Sequence, residues 1–215
     1  MPDSPASEVR LIADEDSRVE ILSSDVVFSG RVHSVVRETF DYNGEPLMRE
    51  FIRHPGAVAV LVLDDDNNVL VIQQYRHPIR VRDWELPAGL LDVTGESLLD
   101  AAKRELAEEV DLVAEEWFHL ADLNTSPGGS NEFARVFLAR RIAATAAAFA
   151  REAEEVDIAI RWVPLDELVA AITAGRVRNS LLVVGALAAH AARASGWSTL
   201  RVARESDVSP VSATN

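Results

Sequence analysis

The spacing of apolar positions changes along the chain, and each change marks a different kind of element. Over residues 19–42 β-branched and aromatic residues dominate, and Asn43-Gly44 then separates this run from a returning one at 46–53. An Asn-Gly pair between such runs favours a tight hairpin, because both turn residues tolerate positive φ. An N-terminal antiparallel sheet is therefore expected. Residues 57–63 and 69–74 are short apolar runs of buried-strand length, and the polar stretch 64–68 between them reads as a solvated hairpin turn. After a Pro-Ala-Gly turn at 87–89 the period becomes helical, with Leu99, Ala102, Leu106 and Val110 on one stripe at roughly 100° per residue. Strands are expected at 117–123 and 133–139, on either side of the strongest loop signal in the chain, Pro127-Gly128-Gly129 within 124–131. An alternating strand follows at 157–163, then a helix at 165–174 stopped by Gly175. A last helix, capped by Ser180 and running to about Ala194, is apolar nearly all round and should be buried in the domain or in a subunit contact. Residues 1–17 read as a frayed polar start, and 198–215 as a tail with neither element nor function. The expected divisions are 1–17, a sheet region 18–54, a main domain 55–197 and the tail 198–215.

The polar face of the first helix changes this picture. Glu105 and Glu109, four apart, stack beside the apolar stripe, with Glu108 about a quarter turn from Glu109. The side farthest from the core instead holds Asp100, Lys103 and Ala107. Like charges four apart cost a helix about 0.2–0.5 kcal/mol per pair, so a compensating cation is expected. Arg104 supplies one charge against three carboxylates, and an all-oxygen donor set suits hard divalent cations such as Mg²⁺ or Mn²⁺.

Composition narrows the classes. The chain has 215 residues, 48% of them hydrophobic and 26% charged, enough for one domain with a proper core. A net charge of −14 without a basic stripe argues against nucleic acid as partner. The absence of cysteine removes disulfides, thiol nucleophiles and cysteine zinc sites. With neither a leader pattern nor a long apolar span, a soluble cytoplasmic protein with no membrane partner is expected. The acidic stretch 64–68 lacks the Gly and distal Glu of a calcium loop. Against this acidic background Arg76, Arg80 and Arg82 form a local patch suited to an anion, and Arg76 can fork onto a phosphate.

Gly89, Glu96, Arg104, Glu105, Leu106, Glu108, Glu109 and Leu112 match the pattern G-x5-E-x7-R-E-U-x-E-E-x-G-U, where U is apolar, and on these residues the chain resembles the Nudix hydrolases. There are two departures. Six residues separate Gly89 from Glu96, an insertion in the loop that leaves the helix register intact. Asp111 also replaces the final glycine, and Asp is among the few other residues that enter the left-handed region. Pro127, 15 residues past Leu112, is a mark of the ADP-ribose pyrophosphatase branch.

That resemblance implies an α+β fold, a Nudix-type α/β/α sandwich with a mixed sheet between helices, preceded by an N-terminal antiparallel sheet that is exchanged within a homodimer. It implies metal-dependent hydrolysis of the pyrophosphate bond of ADP-ribose to AMP and ribose 5-phosphate. Two or three Mg²⁺ or Mn²⁺ ions would be held by Glu105, Glu108, Glu109 and the carbonyl of Ala88, with Arg104 buttressing the acids. In this branch the general base lies on the loop before the last strand, which makes Glu155 the first choice and Glu154 the second. Arg76, Arg49, Phe28, Arg31, Glu132 and Pro127 are the candidate substrate contacts, with Phe28, Arg31 and Arg49 reaching a neighbour's adenosine pocket. Hydrolysis of another nucleoside diphosphate derivative, such as a nucleotide sugar, a dinucleoside polyphosphate or FAD, remains open. So does a non-catalytic regulator that binds ADP-ribose, although the box acids are intact and no helix-turn-helix is evident. A purely structural protein would leave the costly acid cluster without a purpose.

Overall fold

The computed structural model describes residues 12–147 and 158–207. The start of the expected frayed segment, both candidate bases Glu154 and Glu155, and the end of the tail lie outside the described residues.

The N-terminal sheet has three antiparallel strands, β1 (Ile21–Ser29), β2 (Ser34–Tyr42) and β3 (Glu45–Arg53). Asn43 and Gly44, at φ 58° and 85°, close the β2–β3 hairpin with Tyr42 opposite Glu45. The run at 19–42 divides at Gly30, whose amide donates to the His33 carbonyl at 2.9 Å. A Cβ there would lie 2.7 Å from the same carbonyl oxygen, so the turn requires glycine.

Two further sheets build the main domain. A five-stranded mixed sheet runs β11 (Arg201–Val202), β8 (Leu112–Asn124), β9 (Phe133–Ala144), β4 (Ala57–Val62), β7 (Ala88–Leu90), and a three-stranded sheet runs β10 (Ala159–Pro164), β5 (Asn68–Arg76), β6 (Val81–Glu85). Strand β4 (Ala57–Val62) is buried throughout, parallel to β9 (Phe133–Ala144) and antiparallel to β7 (Ala88–Leu90). Because side chains alternate along a strand, β4 and β9 present two apolar faces. Val58, Val60, Phe133 and Phe137 pack under Leu99, Ala102 and Leu106 of helix α1 (Leu98–Val110). Ala59, Leu61, Val136 and Leu138 pack under Leu182, Ala186 and Ala189 of helix α3 (Ser180–Ala194), beside Leu165 and Leu168 of α2 (Leu165–Thr173). The sheet is thus held between helices, as expected, and all four residues of the predicted α1 stripe are buried.

Several expectations need correction. Residues 64–68 join β4 to β5 (Asn68–Arg76), but these strands belong to different sheets, linked at the turn by a Leu63–Val69 bridge. Asp64 makes this corner by accepting the amides of Asp66 and Asn68 at 3.0 and 2.7 Å. The stretch 87–89 leads into strand β7 instead of a turn, with the Val60 amide donating to the Pro87 carbonyl at 2.8 Å. Strand β8 (Leu112–Asn124) starts as soon as α1 ends, and β9 continues to pair with it out to Leu112–Ala144. Charged residues such as Glu115, Glu116, Arg140 and Arg141 on these outer arms hid them from an apolar-pattern reading. The N-cap of α3 is Asn179, which accepts the Leu182 amide at 3.1 Å, and not Ser180. The last helix also buries one face only: Leu182, Gly185, Ala186, Ala189 and Ala192. In the tail, β11 (Arg201–Val202) pairs with β8 after β10 (Ala159–Pro164) and both later helices, and Ala203 enters the core. No helix among the described residues is long and apolar enough to cross a membrane.

Candidate active site

Local chemistry defines both ends of α1. Ser97 caps the N-terminus by accepting the Asp100 amide at 3.1 Å, and its hydroxyl donates to the Asp100 carboxylate at 2.8 Å. At the other end Asp111 adopts φ 56°, and its amide donates to the Ala107 carbonyl at 3.1 Å. Between these caps the three acids grade from buried to open. Glu109 is 6% exposed, while the side chains of Glu105 and Glu108 are 14% and 44% exposed.

Arg104 ties the acids together. It forks onto Glu96 at 3.0 and 2.9 Å and donates to Glu105 at 2.5 Å and to Glu108 at 3.3 Å. The Glu96 bond, helped by Glu105, holds the guanidinium still more firmly protonated than usual. Glu109 instead accepts the Ala88 amide at 2.9 Å, which joins the helix to β7. Beside it, the Glu105 carboxylate lies directly on the backbone of Gly89, in space that a Cβ would fill. Burial pushes the Glu105 carboxyl above the ordinary carboxylate range, Arg104 works against that shift, and the charges of Glu108 and Asp92 add to it.

Among the described residues no three acidic or imidazole side chains are already gathered at metal-holding spacing. Glu105 and Glu108 are engaged by Arg104, and Glu109 by a main-chain amide. The donor set nevertheless fits a hard divalent ion: the helix carries three carboxylates, of which Glu105 lies against the bare Gly89 backbone and Glu109 against the Ala88 amide, with no nitrogen or sulfur donor among them.

A second feature is a cleft of about 570 Å³ between β3 and the loop joining β8 to β9. Arg49, Phe51, Asn124, Pro127, Gly129 and Asn131 line it, which brings together Arg49 and Pro127, two of the candidate substrate contacts. The others are dispersed. Arg76 forks onto the buried Glu85 at 2.7 and 2.6 Å, so in this structure its anion is a protein carboxylate. Glu132 accepts from the Thr125 hydroxyl at 2.6 Å, with His54 at 3.8 Å. Phe28 is 58% exposed on β1, and Arg31, Arg80 and Arg82 are exposed.

Three contributors escaped the sequence reading. Glu96 was visible as a motif position, but its role as the main partner of Arg104 was not. Glu85 was an unremarked acid ahead of the motif, and Asn131 an ordinary loop residue. The Ser97–Asp100 cap had a signal, Ser followed three residues later by an acid just ahead of an apolar run.

A helix-borne acid cluster braced by one arginine against a glycine strand, on an α/β/α sandwich, is the arrangement of a metal-assisted hydrolase. The NUDIX domain model matches residues 53–182, and the chain belongs to the NUDIX family. It is 40% identical over 173 residues to the ADP-ribose pyrophosphatase of Mycobacterium tuberculosis, a match that covers 80% of this chain and 83% of that protein. It is 34% identical over 165 residues to the methanol dehydrogenase activator of Bacillus methanolicus, covering 76% and 88%. The ADP-ribose pyrophosphatase of Bacillus subtilis is 36% identical over 122 residues, covering 56% and 65%. Among solved structures, one described as an ADP compounds hydrolase superposes with a TM-score of 0.69 at 20% identity, covering 86% of this chain and 99% of the other. At that identity the likeness bears on the fold, which it supports. The protein is a Nudix hydrolase, and divalent metal dependence is general in that family.

Proposed function

We propose that the protein hydrolyses the pyrophosphate bond of ADP-ribose, releasing AMP and ribose 5-phosphate. One observation carries this reading: the α1 acids meet β7 at Ala88 and Gly89, in a chain that shares 40% identity with an ADP-ribose pyrophosphatase over most of its length. Glu105, Glu108 and Glu109, with the carbonyl of Ala88, are the residues assigned to hold two or three Mg²⁺ or Mn²⁺ ions. When bound, such ions neutralise the diphosphate, polarise phosphorus and acidify coordinated water. Arg104, anchored on Glu96, keeps Glu105 and Glu108 in register, and the Ala88 amide holds Glu109. Glu155, or Glu154 beside it, takes the proton of the attacking water. A base on a loop can close over substrate and exclude bulk solvent. Arg49 and Pro127 contact the substrate in the cleft they line, and Glu132, bonded to Thr125 of the same loop, is assigned to help position it. Arg76 is assigned to the diphosphate, for which it would exchange its bond to Glu85.

The working unit proposed is a homodimer. Every residue of β1 is exposed, including Ile21, Leu22, Val26, Val27 and Phe28, and so many exposed apolar side chains on one strand favour a protein contact. Phe28 and Arg31 would then serve the neighbouring subunit. The cytoplasm is the compartment proposed, which a cysteine-free chain allows.

Incubating the protein with ADP-ribose and Mg²⁺ should yield AMP and ribose 5-phosphate in equal amounts, and a chelator should abolish the reaction. Turnover that persists in chelator, or a nucleotide sugar consumed far faster than ADP-ribose, overturns the reading. Light scattering during size-exclusion chromatography should give twice the monomer mass. Glu155→Gln should bind substrate with near-normal affinity but turn it over far more slowly. A near-normal rate would move the base to Glu154 or Glu132.

A further inference from the structure

The β8–β9 loop is fastened to β3 by strand addition and by one side chain. The Ile52 amide donates to the Gly129 carbonyl at 2.8 Å, and the Asn131 amide donates to the Ile52 carbonyl at 3.1 Å. Together these bonds set Ser130 beside Ile52 in a parallel bridge. Just past the end of β3 the His54 amide has no strand opposite it, and it donates to the Asn131 side-chain carbonyl at 2.8 Å. The His54 ring makes a different bond, with its Nδ1 accepting the Gly56 amide at 3.1 Å. At this half-buried junction Asn131 therefore supplies an acceptor to a main-chain donor that otherwise faces desolvation without a partner.

The loop is also stapled to itself. Thr125 donates to the Glu132 carboxylate, the Ser130 hydroxyl accepts the Glu132 amide at 3.0 Å, and the Ser130 amide donates to the Ser126 carbonyl at 2.9 Å. A loop bonded internally in this way moves as a unit, and its attachment to β3 decides where that unit sits. The cleft walls come from those two parts: Arg49 and Phe51 from β3, and Pro127, Gly129 and Asn131 from the loop.

We infer that Asn131 is a positioning residue that sets the geometry of the substrate cleft by bolting the Pro127 loop to the N-terminal sheet. The inference rests on the proposal that this cleft receives the nucleoside diphosphate substrate. It adds that the N-terminal sheet serves the cleft of its own chain as a fixed wall. Asparagine suits the position because its carbonyl is an acceptor one methylene from the backbone. Asp keeps that acceptor, whereas Ala removes it.

The test compares wild type, Asn131→Ala and Asn131→Asp by steady-state kinetics on ADP-ribose with Mg²⁺, and by amide hydrogen exchange on the metal-free proteins. In Asn131→Ala, KM should rise about tenfold while kcat stays within about threefold, because a misplaced wall weakens binding without touching the acid cluster. Exchange at the His54 and Ile52 amides should quicken in Asn131→Ala and return close to wild type in Asn131→Asp, which is judged by exchange and not by KM because its added charge faces an anionic substrate. Ile52→Pro gives an independent route. It removes the donor to Gly129 on the side of β3 that faces the loop and should raise KM in the same way. That variant carries the kinetic test should Asn131→Ala fail to fold. An unchanged KM in both Asn131→Ala and Ile52→Pro overturns the inference, as does exchange at His54 quickened equally in Asn131→Asp. A wild type inert toward ADP-ribose overturns the functional reading instead. The bolt is then judged by exchange alone, where protection at His54 unaltered in Asn131→Ala refutes it.

Discussion

Gly89 shows how closely single residues constrain the site. The Glu105 carboxylate occupies the place where a side chain at 89 would begin, so Gly89→Ala must displace either the acid or strand β7. We expect turnover to fall about 100-fold, since small misplacements of reacting groups carry costs of that order, with a nearly unchanged far-ultraviolet circular dichroism spectrum. Glu109→Gln separates charge from shape. The glutamine carbonyl can still accept the Ala88 amide, so the fold should survive, while loss of the negative charge should lower kcat by at least about 10²–10³-fold. Wild-type kcat in that variant would remove Glu109 from the mechanism. Residues at this scale were legible where their relation is local. Glu105, Glu108 and Glu109 share a helix, so their spacing determines their side. Arg76 illustrates the opposite case. Its sequence context indicated an anion nearby, but only the β5–β6 pairing reveals that Glu85 is already there.

Elements come next, and α1 is the one whose ends matter most, because register along it sets where each acid points. Ser97→Ala deletes the acceptor for the Asp100 amide and should destabilise the protein by about 1 kcal/mol in urea titrations. Asp111→Ala places a residue with no polar compensation at φ 56° and should cost about as much. These features, like the Asn43-Gly44 turn, could be read from the chain because caps and tight turns are short-range. Long-range pairing could not. Nothing in the runs at 57–63 and 69–74 distinguishes a hairpin from a corner between two sheets. The choice depends on β9 and β7 taking both edges of β4 while β10 and β6 take those of β5. Strand β11 was hidden for the same reason, since two residues carry no periodicity and its only strand partner among the described residues is β8.

For the molecule as a whole, the joint between β8 and β9 governs behaviour in acid. Burial opposes ionisation of Asp122, but the two hydrogen bonds from Arg135, with the His119 ring 3.0 Å away, outweigh it and hold the carboxyl well below the ordinary aspartate range. A carboxyl whose folded pKa is depressed contributes stability that is complete above its unfolded value, about 3.9, and that is lost as pH falls through the folded one. The melting temperature of the wild type should therefore drop as pH is lowered from about 4, and Asp122→Asn should flatten that dependence. At neutral pH the same variant should lose about 1–3 kcal/mol, less than a fully buried pair would, because Asp122 is partly exposed although Arg135 is not. A steep acid slope that survives in the variant would place the sensitivity elsewhere.

The two residues of β11 have a consequence out of proportion to their number. They shield part of the outer margin of β8, a strand of 13 residues. Cutting the chain just before Arg201 would leave that margin as a row of free amides and carbonyls able to template another molecule. Such a truncated protein should turn cloudy and fibrous on warming well before the intact one does.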